Sequence, residues 1–520
     1  MTFNMNRRGV LKAGAAAGLV AATVKTASAA AHATPKKGGT LRLGLAGANT
    51  SDSWDGRTHS DSFMIVMAHG AVFDCLTEIA ADGSLKGELA ESWEASADAK
   101  TWTFNLRKGV TFHNGKAFGA DDVIASLNMH TAEGAKSAAK PIVSAISEMK
   151  KMSDHQIVMT LAAGNADFPY LLSDYHILMY PAGGADEAIA KGIGTGLYKV
   201  DNFDPGVRCN LSRVANHYKG DDAGHFDSVE AIAINDSNAR QTAMMTGQVD
   251  CINRVDTKAE ALYNANPNVE IFEVTGNQHY TLPMLTNVAP FDTLEVRQAL
   301  KHAINRQEMV DKILLGHGAV GNDHPIGPAN QYYAADLPQN EYDPEKAKSL
   351  LKKAGMDGLK VDLSAANAAF PGAIDAAQLF QASAKAAGIE INVVQEPDDG
   401  YWSNVWLKKP WCACYWSGRA TEDWMFSTNY ELGVPWNDTH WENARFQELL
   451  LTARAELDSG KRKDMYTEMQ MLCSTDGGTV VPMYANYVDA HSTKLKHTEA
   501  VGNNFQMDGS RMIERWWFDA

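Results

Sequence analysis

The sequence predicts an α/β protein, from strand-period alternation near its start, the same alternation after residue 100, and capped amphipathic helices in its second half. Gly39-Thr40-Leu41-Arg42-Leu43-Gly44-Leu45 alternates apolar and polar residues, the pattern of a half-buried strand. Thr101-Trp102-Thr103-Phe104-Asn105-Leu106 repeats it with Trp102, Phe104 and Leu106 on one face. Lys108-Gly109 reads as a turn and Val110-Thr111-Phe112 as the returning strand, so a hairpin is expected there. Ala120-Asp121-Asp122 then opens a helix through Val123, Ile124 and Leu127.

Later helices carry explicit start signals. Asp292 precedes Glu295 by three residues, ahead of an apolar stripe of Val296, Leu300 and Ile304 that steps on to Val310, Ile313 and Leu314; the acid pair suits a capping box. Asp343-Pro344-Glu345 supplies an N-cap, an N1 proline and an early acid before Ala347, Leu350 and Leu351, with Gly355 as the C-terminal stop. No internal repeat, low-complexity tract or long linker interrupts the chain. Its 520 residues exceed one ordinary core, so two or three domains are expected, with the chain passing between them more than once.

The first 29 residues are set apart from the fold. Asn6-Arg7-Arg8-Gly9-Val10-Leu11-Lys12, a short Ala/Gly/Val run, Lys25 and Ala27-Ser28-Ala29 form a secretory leader of twin-arginine type, removed near Ala29. The expected product is exported, periplasmic and monomeric. The net charge of -16 argues against nucleic acid as a partner, because phosphate binding needs a basic patch. No stretch of 18 apolar residues predicts direct membrane insertion. Six cysteines, Cys75, Cys209, Cys251, Cys412, Cys414 and Cys473, are too few for a disulfide scaffold, though one bridge fits an oxidising compartment, with Cys209 and Cys251 as a candidate pair.

Signatures of catalysis are missing. There is no G-x-S-x-G, H-E-x-x-H or G-x-x-x-x-G-K-[ST], so no catalytic residue, cofactor or metal is assigned. Gly192-Ile193-Gly194-Thr195-Gly196 reads as a tight turn, and His491 and His497 lack companions at ligand spacing. Cys412-Ala413-Cys414 is too closely spaced for structural zinc; buried packing fits it better than a strained bridge or a soft-metal site. Aromatic density is what stands out: Trp402, Trp406, Trp411, Trp416, Trp424, Trp436 and Trp441 lie in one stretch with Tyr401, Tyr415 and Tyr430. Tryptophan serves a pocket wall as readily as a core.

Several segments together resemble the extracellular solute-binding proteins of family 5, which serve ABC importers of peptides, nickel chelates and related solutes. They are Glu88-Leu89-Ala90-Glu91-Ser92-Trp93-Glu94, Thr101 to Gly115, Gly194-Thr195-Gly196-Leu197-Tyr198, Ala239-Arg240 to Asp250, Pro290-Phe291-Asp292 to Ile304-Asn305-Arg306, and Val481-Pro482-Met483-Tyr484. Leu197 stands where the family usually has proline. The resemblance implies a two-lobed clamshell of the periplasmic binding protein type II class with an extra inserted subdomain. One lobe would be discontinuous (37–80, 195–280 and 490–520), the subdomain would span 81–194, and the other lobe 281–489. It implies binding and delivery, not turnover: a short peptide or peptide-like zwitterion handed to permease subunits with cytoplasmic ATPases. An oligosaccharide or a metal chelate is the alternative cargo, and an exported hydrolase the alternative class.

The resemblance also locates the solute-reading residues in Tyr415 to Trp424. Dipeptide binders carry a G-D-x-x-D-P-like pattern there, whose aspartate takes the peptide amine. This chain has Arg419 where an acid is expected and Trp424 in place of the proline. Arg419 could hold a carboxylate or phosphate, or pair internally with Glu422 or Asp423. Glu422 or Asp423 could take an amine, and Trp416 is placed to stack on solute. Trp54, His279 and Tyr280 follow by analogy of position.

Overall fold

The computed structural model describes residues 35–397 and 401–519; the leader read at 1–29 lies outside them. Its centre is a nine-stranded mixed sheet. In chain order its strands are β1 (Thr40–Leu45), β2 (Tyr198–Asp204), β3 (Arg208–Arg213), β4 (Ser228–Ala233), β5 (Cys251–Ile252), β6 (Val269–Pro283), β7 (Gly318–Val320), β8 (Cys414–Trp416) and β9 (Thr479–Ser492). They lie in the order β8-β6-β9-β5-β1-β4-β3-β2, with β7 also on β9. β1 runs parallel to β4 and β5, and the other pairings are antiparallel.

β6 and β9 are the longest strands, and each belongs to two apolar cores. Phe272 and Val274 pack with residues 41–75, 178–251 and 495–516. Tyr280 and Leu282, with Val480 and Met483 across the ladder, pack with residues 284–413. A further core, of residues 326–473, adjoins the second; another, of residues 76–179, adjoins the first. The chain therefore passes between two groups of cores on β6 and returns on β9. Between Val274 and Gln278 the register shifts, as at a β-bulge. Gly276 is required there, because a Cβ would lie 2.4 Å from the Tyr487 ring on β9.

The alternating stretch 101–106 is a strand as expected, but the hairpin with 110–112 does not form. Thr101–Leu106 pairs instead with Ala90–Ala95 and Gln156–Leu161, in a four-stranded sheet completed by Ile146–Ser153. Val110 to Phe118 closes on itself as a tight loop, with Phe118 N–H donating to Val110 O at 3.0 Å. The helix Leu294–Ala303 starts one residue later than the Asp292 reading; Thr293 is its N-cap, and no side-chain cap bond forms. Asn305 caps a second helix, Arg306–Lys312, after the expected step. Pro344–Lys353 is capped by Asp343, and Gly355 follows it at φ +69°, the left-handed stop a glycine allows.

All six cysteines are buried thiols. Cys209 on β3 and Cys251 on β5 stand three strand spacings apart, about 14 Å, twice the reach of a disulfide. Cys412 and Cys414 pack into two adjoining cores as small hydrophobes.

A buried ion network ties the chain's distant parts together. Lys219 Nζ lies 2.8 Å from Glu88, 2.9 Å from Glu514, 3.5 Å from Glu78 and 3.6 Å from Asp74. Arg511 reaches Glu88 at 2.7 Å and Glu514 at 2.9 Å, and Arg515 reaches Glu78 at 3.0 Å. The three glutamates converge closely enough for a metal, but Lys219 and Arg511 supply the positive charge there. Burial would raise Glu88, yet Arg511 and Lys219 more than offset it and hold it near about 2; burial wins at Asp74, lifted to about 7. Asp74 also accepts from Thr195 Oγ1 at 2.8 Å, within the glycine-rich turn. A Cβ on Gly194 would sit 2.0 Å from Val72 O, so that turn works by close approach, not as a phosphate loop.

Removing one cation from such a network leaves buried carboxylates uncompensated. Lys219→Met is expected to cost about 3–5 kcal/mol of stability, read by urea unfolding at pH 7.5. A loss under about 1 kcal/mol would show that Arg511 and Arg515 suffice without it.

Candidate functional site at the strand crossing

The bulge where β6 passes between the cores is also where several loops meet. Asn277, in the bulge, donates its side-chain amide to Arg419 O at 3.1 Å, and its Oδ1 accepts from Tyr487 Oη of β9 at 3.4 Å. Asn504 O, also 3.4 Å from Tyr487 Oη, shares that single hydroxyl proton. Beside these, the Tyr175 and Phe505 rings meet edge to face at 5.5 Å. The loop Ser417–Ala420, leaving edge strand β8, is thus pinned to the crossing by its backbone. Gly418 makes the fit possible, since a Cβ there would lie 1.7 Å from Asn277 Oδ1.

Arg419 is the unspent charge of this site. Its guanidinium donates to Ser417 O at 3.0 Å and Gly418 O at 3.2 Å, both in its own loop, and lies 5.7 Å over the Trp424 ring. Among the described residues no carboxylate lies within ion-pairing distance of it, so the internal pair with Glu422 or Asp423 does not form. Burial lowers its pKa, opposed by Tyr175, Asp174, Tyr487 and Tyr415. Guanidinium has five N–H donors in a fork suited to carboxylate or phosphate, and among the described residues only two bonds are made, both through Nη1.

The other residues that sequence placed in the site have internal duties. Glu422 is buried and its Oε1 accepts from Tyr332 N–H at 2.7 Å. Asp423 is buried and bound by Arg454 Nε at 2.9 Å, and Arg454 also holds Glu431. Neither is open to a solute amine in this arrangement. Trp416 is buried, with its indole N–H 3.2 Å from Asp438 Oδ2, so it stands behind the site. Trp54 lies in the first core, 4.9 Å from the Phe203 ring. His279 is fully buried on β6, and burial, opposed by the Asn277 backbone, lowers it to about 3, keeping it neutral. Tyr280 stacks on Phe370 at 4.2 Å in the second core.

Trp424 makes a different contact. It packs against the core of residues 76–179 although its own helix, Glu422–Asn429, belongs to the 326–473 core. Nearby, Asp167 and Arg462 form a buried ion pair, and Ala166 N–H donates to Arg454 O at 2.6 Å. The segment that carries Arg419 therefore also carries the junction between the two groups of cores. Sequence reasoning missed Asn277, Tyr487, Tyr175 and Phe505; Gly276 beside Asn277 and Gly418 before Arg419 were the legible signs of a close approach.

Residues 84–438 match the family described as bacterial extracellular solute-binding proteins, family 5 (middle). The chain belongs to that family. It is 26% identical over 434 residues to the dipeptide-binding protein of Escherichia coli K12, covering 74% of this chain and 78% of that one. Two solved structures share the fold. The periplasmic binding protein DppA of Helicobacter pylori, in complex with the peptide STSA, superposes with a TM-score of 0.75 at 24% identity over 93% of this chain and 99% of that chain. AgaA of A. tumefaciens R10, in complex with agropinic acid, gives 0.73 at 24% identity over 93% and 99%. This family 5 protein thus has the two-lobed α/β fold, and among its described residues no helix is long and apolar enough to cross a membrane.

Two outcomes follow from the loop's packing. Gly418→Ala should cost about 1–3 kcal/mol by overpacking, and adding Asn277→Ala should recover most of it; additive losses in a urea double-mutant cycle would contradict the clash. Burial raises Glu422 from 4.5 to about 7, opposed by the Tyr332 hydrogen bond. The folded state then binds more protons than the unfolded one between pH 4.5 and 7, so this group's contribution to stability falls as pH rises through that window. Glu422→Gln should therefore melt near the wild-type temperature at pH 4.5 and above it at pH 8; equal pH slopes in calorimetry would refute the shift.

Proposed function

We propose that this chain is the solute-capturing component of an ABC importer, enclosing a short peptide or peptide-like zwitterion at the crossing of β6 and β9. The loaded protein would be handed to permease subunits driven by cytoplasmic ATPases. The observation that carries this reading is Arg419, a partly buried guanidinium on the loop pinned to the crossing, with no carboxylate partner among the described residues. A desolvated charge calls for an opposite one, and a solute carboxylate supplies it bidentately. A dipeptide-binding relative and solved neighbours holding a peptide or agropinic acid support that chemistry.

On this reading the lobes are 37–80 with 195–280 and 490–520, carrying subdomain 81–194, against 281–489. They close by a hinge motion at the bulge in β6. That the apolar cores divide close to these bounds, with Tyr280 crossing at the boundary and Trp424 as a bridging contact, supports this division. Residues 1–29 would direct export to the periplasm and be removed near Ala29, leaving a monomer.

Calorimetry tests the reading with Ala-Ala, Ala-Phe, an amino-acid–sugar conjugate, a maltooligosaccharide and nickel–histidine as probes. Arg419→Ala should weaken the carboxylate probes by about 1.5–3 kcal/mol. Arg419→Lys should recover only part, because an ammonium lacks the planar fork. Binding confined to the oligosaccharide would contradict the reading, as would unchanged affinity in a folded Arg419→Ala protein.

A further inference from the structure

Beside Arg419 the protein presents a strip of aromatic surface that its own packing does not consume. Trp402, Tyr415 and Trp436 are 42%, 39% and 48% exposed. They are joined through Trp406 and Trp416 into one network: Trp402 lies 5.7 Å from Tyr415 and 5.9 Å from Trp406, Trp436 lies 6.1 Å from Trp406 and 6.0 Å from Trp416, and Trp406 and Trp416 are 6.2 Å apart. Scattered exposed hydrophobes are ordinary, whereas a contiguous patch of rings marks a contact surface.

The strip is fixed from beneath. Asp438, buried, accepts from the indole N–H groups of both Trp406 and Trp416 at 3.2 Å. Two indoles are thereby locked; Trp402 and Trp436 meet Trp406 edge to face, and Tyr415 meets Trp402 in the same way. Rings held in place before contact lose little side-chain entropy when something stacks on them.

The strip is also continuous with Arg419. Tyr415 faces outward on edge strand β8, the exposed Ser417 opens the loop that follows it, and Ser417 O holds the Arg419 guanidinium. Tyr415 is among the groups acting electrostatically on Arg419. From these juxtaposed surfaces, a cation with no carboxylate partner among the described residues and a preset row of exposed rings, we infer the class of solute: an acid whose carboxylate meets Arg419 and which bears a planar aromatic ring that stacks on Trp402 and Tyr415. An aromatic-containing peptide or an aryl-substituted amino acid has this chemistry. The inference rests on the Arg419 reading and adds the ring to it.

Its test uses Ala-Phe and Ala-Trp as ring-bearing acids, Ala-Ala as the ringless acid, and Ala-Phe amide as the ring without its acid. The readout is calorimetry together with tryptophan fluorescence. The wild type should bind Ala-Phe and Ala-Trp at least tenfold more tightly than Ala-Ala, with a change in indole emission. Trp402→Ala with Tyr415→Ala, both exposed sites, should collapse that ratio toward one, in protein whose melting temperature shows it folded. The conservative pair Trp402→Phe and Tyr415→Phe should restore most of it. Arg419→Ala should weaken all three acids and leave the amide unchanged.

A ratio near one in the wild type, failure of any ring-bearing acid to bind, or a ratio untouched by the double variant overturns the inference while leaving the Arg419 reading intact. Loss of the ratio with no effect of Arg419→Ala overturns the Arg419 reading, and with it the anionic half of the inference. A double variant that instead abolishes self-association in sedimentation, with ligand ratios unchanged, assigns the strip to a second copy of the chain and overturns the inference.

Discussion

The antiparallel ladder of Val269–Pro283 against Thr479–Ser492 is the constraint on which the rest of the molecule hangs. A backbone crossing between two cores must keep its N–H and C=O groups paired on the way. Two strands running together satisfy each other's groups at the crossing, so neither core has to supply partners there. The cost is that the ladder must bend, and the register shift at Gly276–Asn277 is where it does so. Glycine removes the side chain that would strike Tyr487, and asparagine supplies the amide that fastens the Arg419 loop. The site therefore sits at the crossing because that is where the ladder gives.

Charge is handled in opposite ways on the two sides of this ladder. In the first group of cores, four buried acids face Lys219, Arg511 and Arg515, and nearly every charge is answered. Residues 74–88, Lys219, Arg511, Glu514 and Arg515 and the glycine-rich turn are thereby held to one point. At the crossing itself Arg419 is left to its own loop carbonyls. The same segment gives one of its acids a cation, Asp423 with Arg454, while Glu422 accepts from Tyr332 N–H and burial raises it to about 7. Among the described residues no carboxylate pairs with the Arg419 guanidinium.

The stretch from Trp411 to Phe426 shows how one short sequence serves several layers. Trp411 and Cys412 fill the second core, Cys414 and Trp416 back the adjoining one, Tyr415 faces outward, and Arg419 reaches the crossing. Alternation along β8 accounts for the inward and outward residues, and Gly418 ends the alternation so that the loop can turn into the site. Trp424 then carries the chain into contact with the core on the other side.

From the sequence alone, local structure and kinship were legible. The period of two at 40–45 and 101–106, the Asp343-Pro344 start and the Gly355 stop are properties of neighbouring residues, and they hold in the fold. The motifs of a family 5 protein are likewise contiguous, so the α/β clamshell could be read before any contact was known. What only the tertiary structure decided was partnership between distant residues. Thr101–Leu106 took Gln156–Leu161 instead of its neighbour, and Cys209 and Cys251 fell three strands apart. Trp54, Trp416 and His279 went into cores, and Glu422 and Asp423 found partners at Tyr332 and Arg454. Whether a charge is spent depends on what folds against it from elsewhere in the chain. For Arg419 the two nearest acids in sequence are held by other residues, so among the described residues its guanidinium bonds only to carbonyls of its own loop.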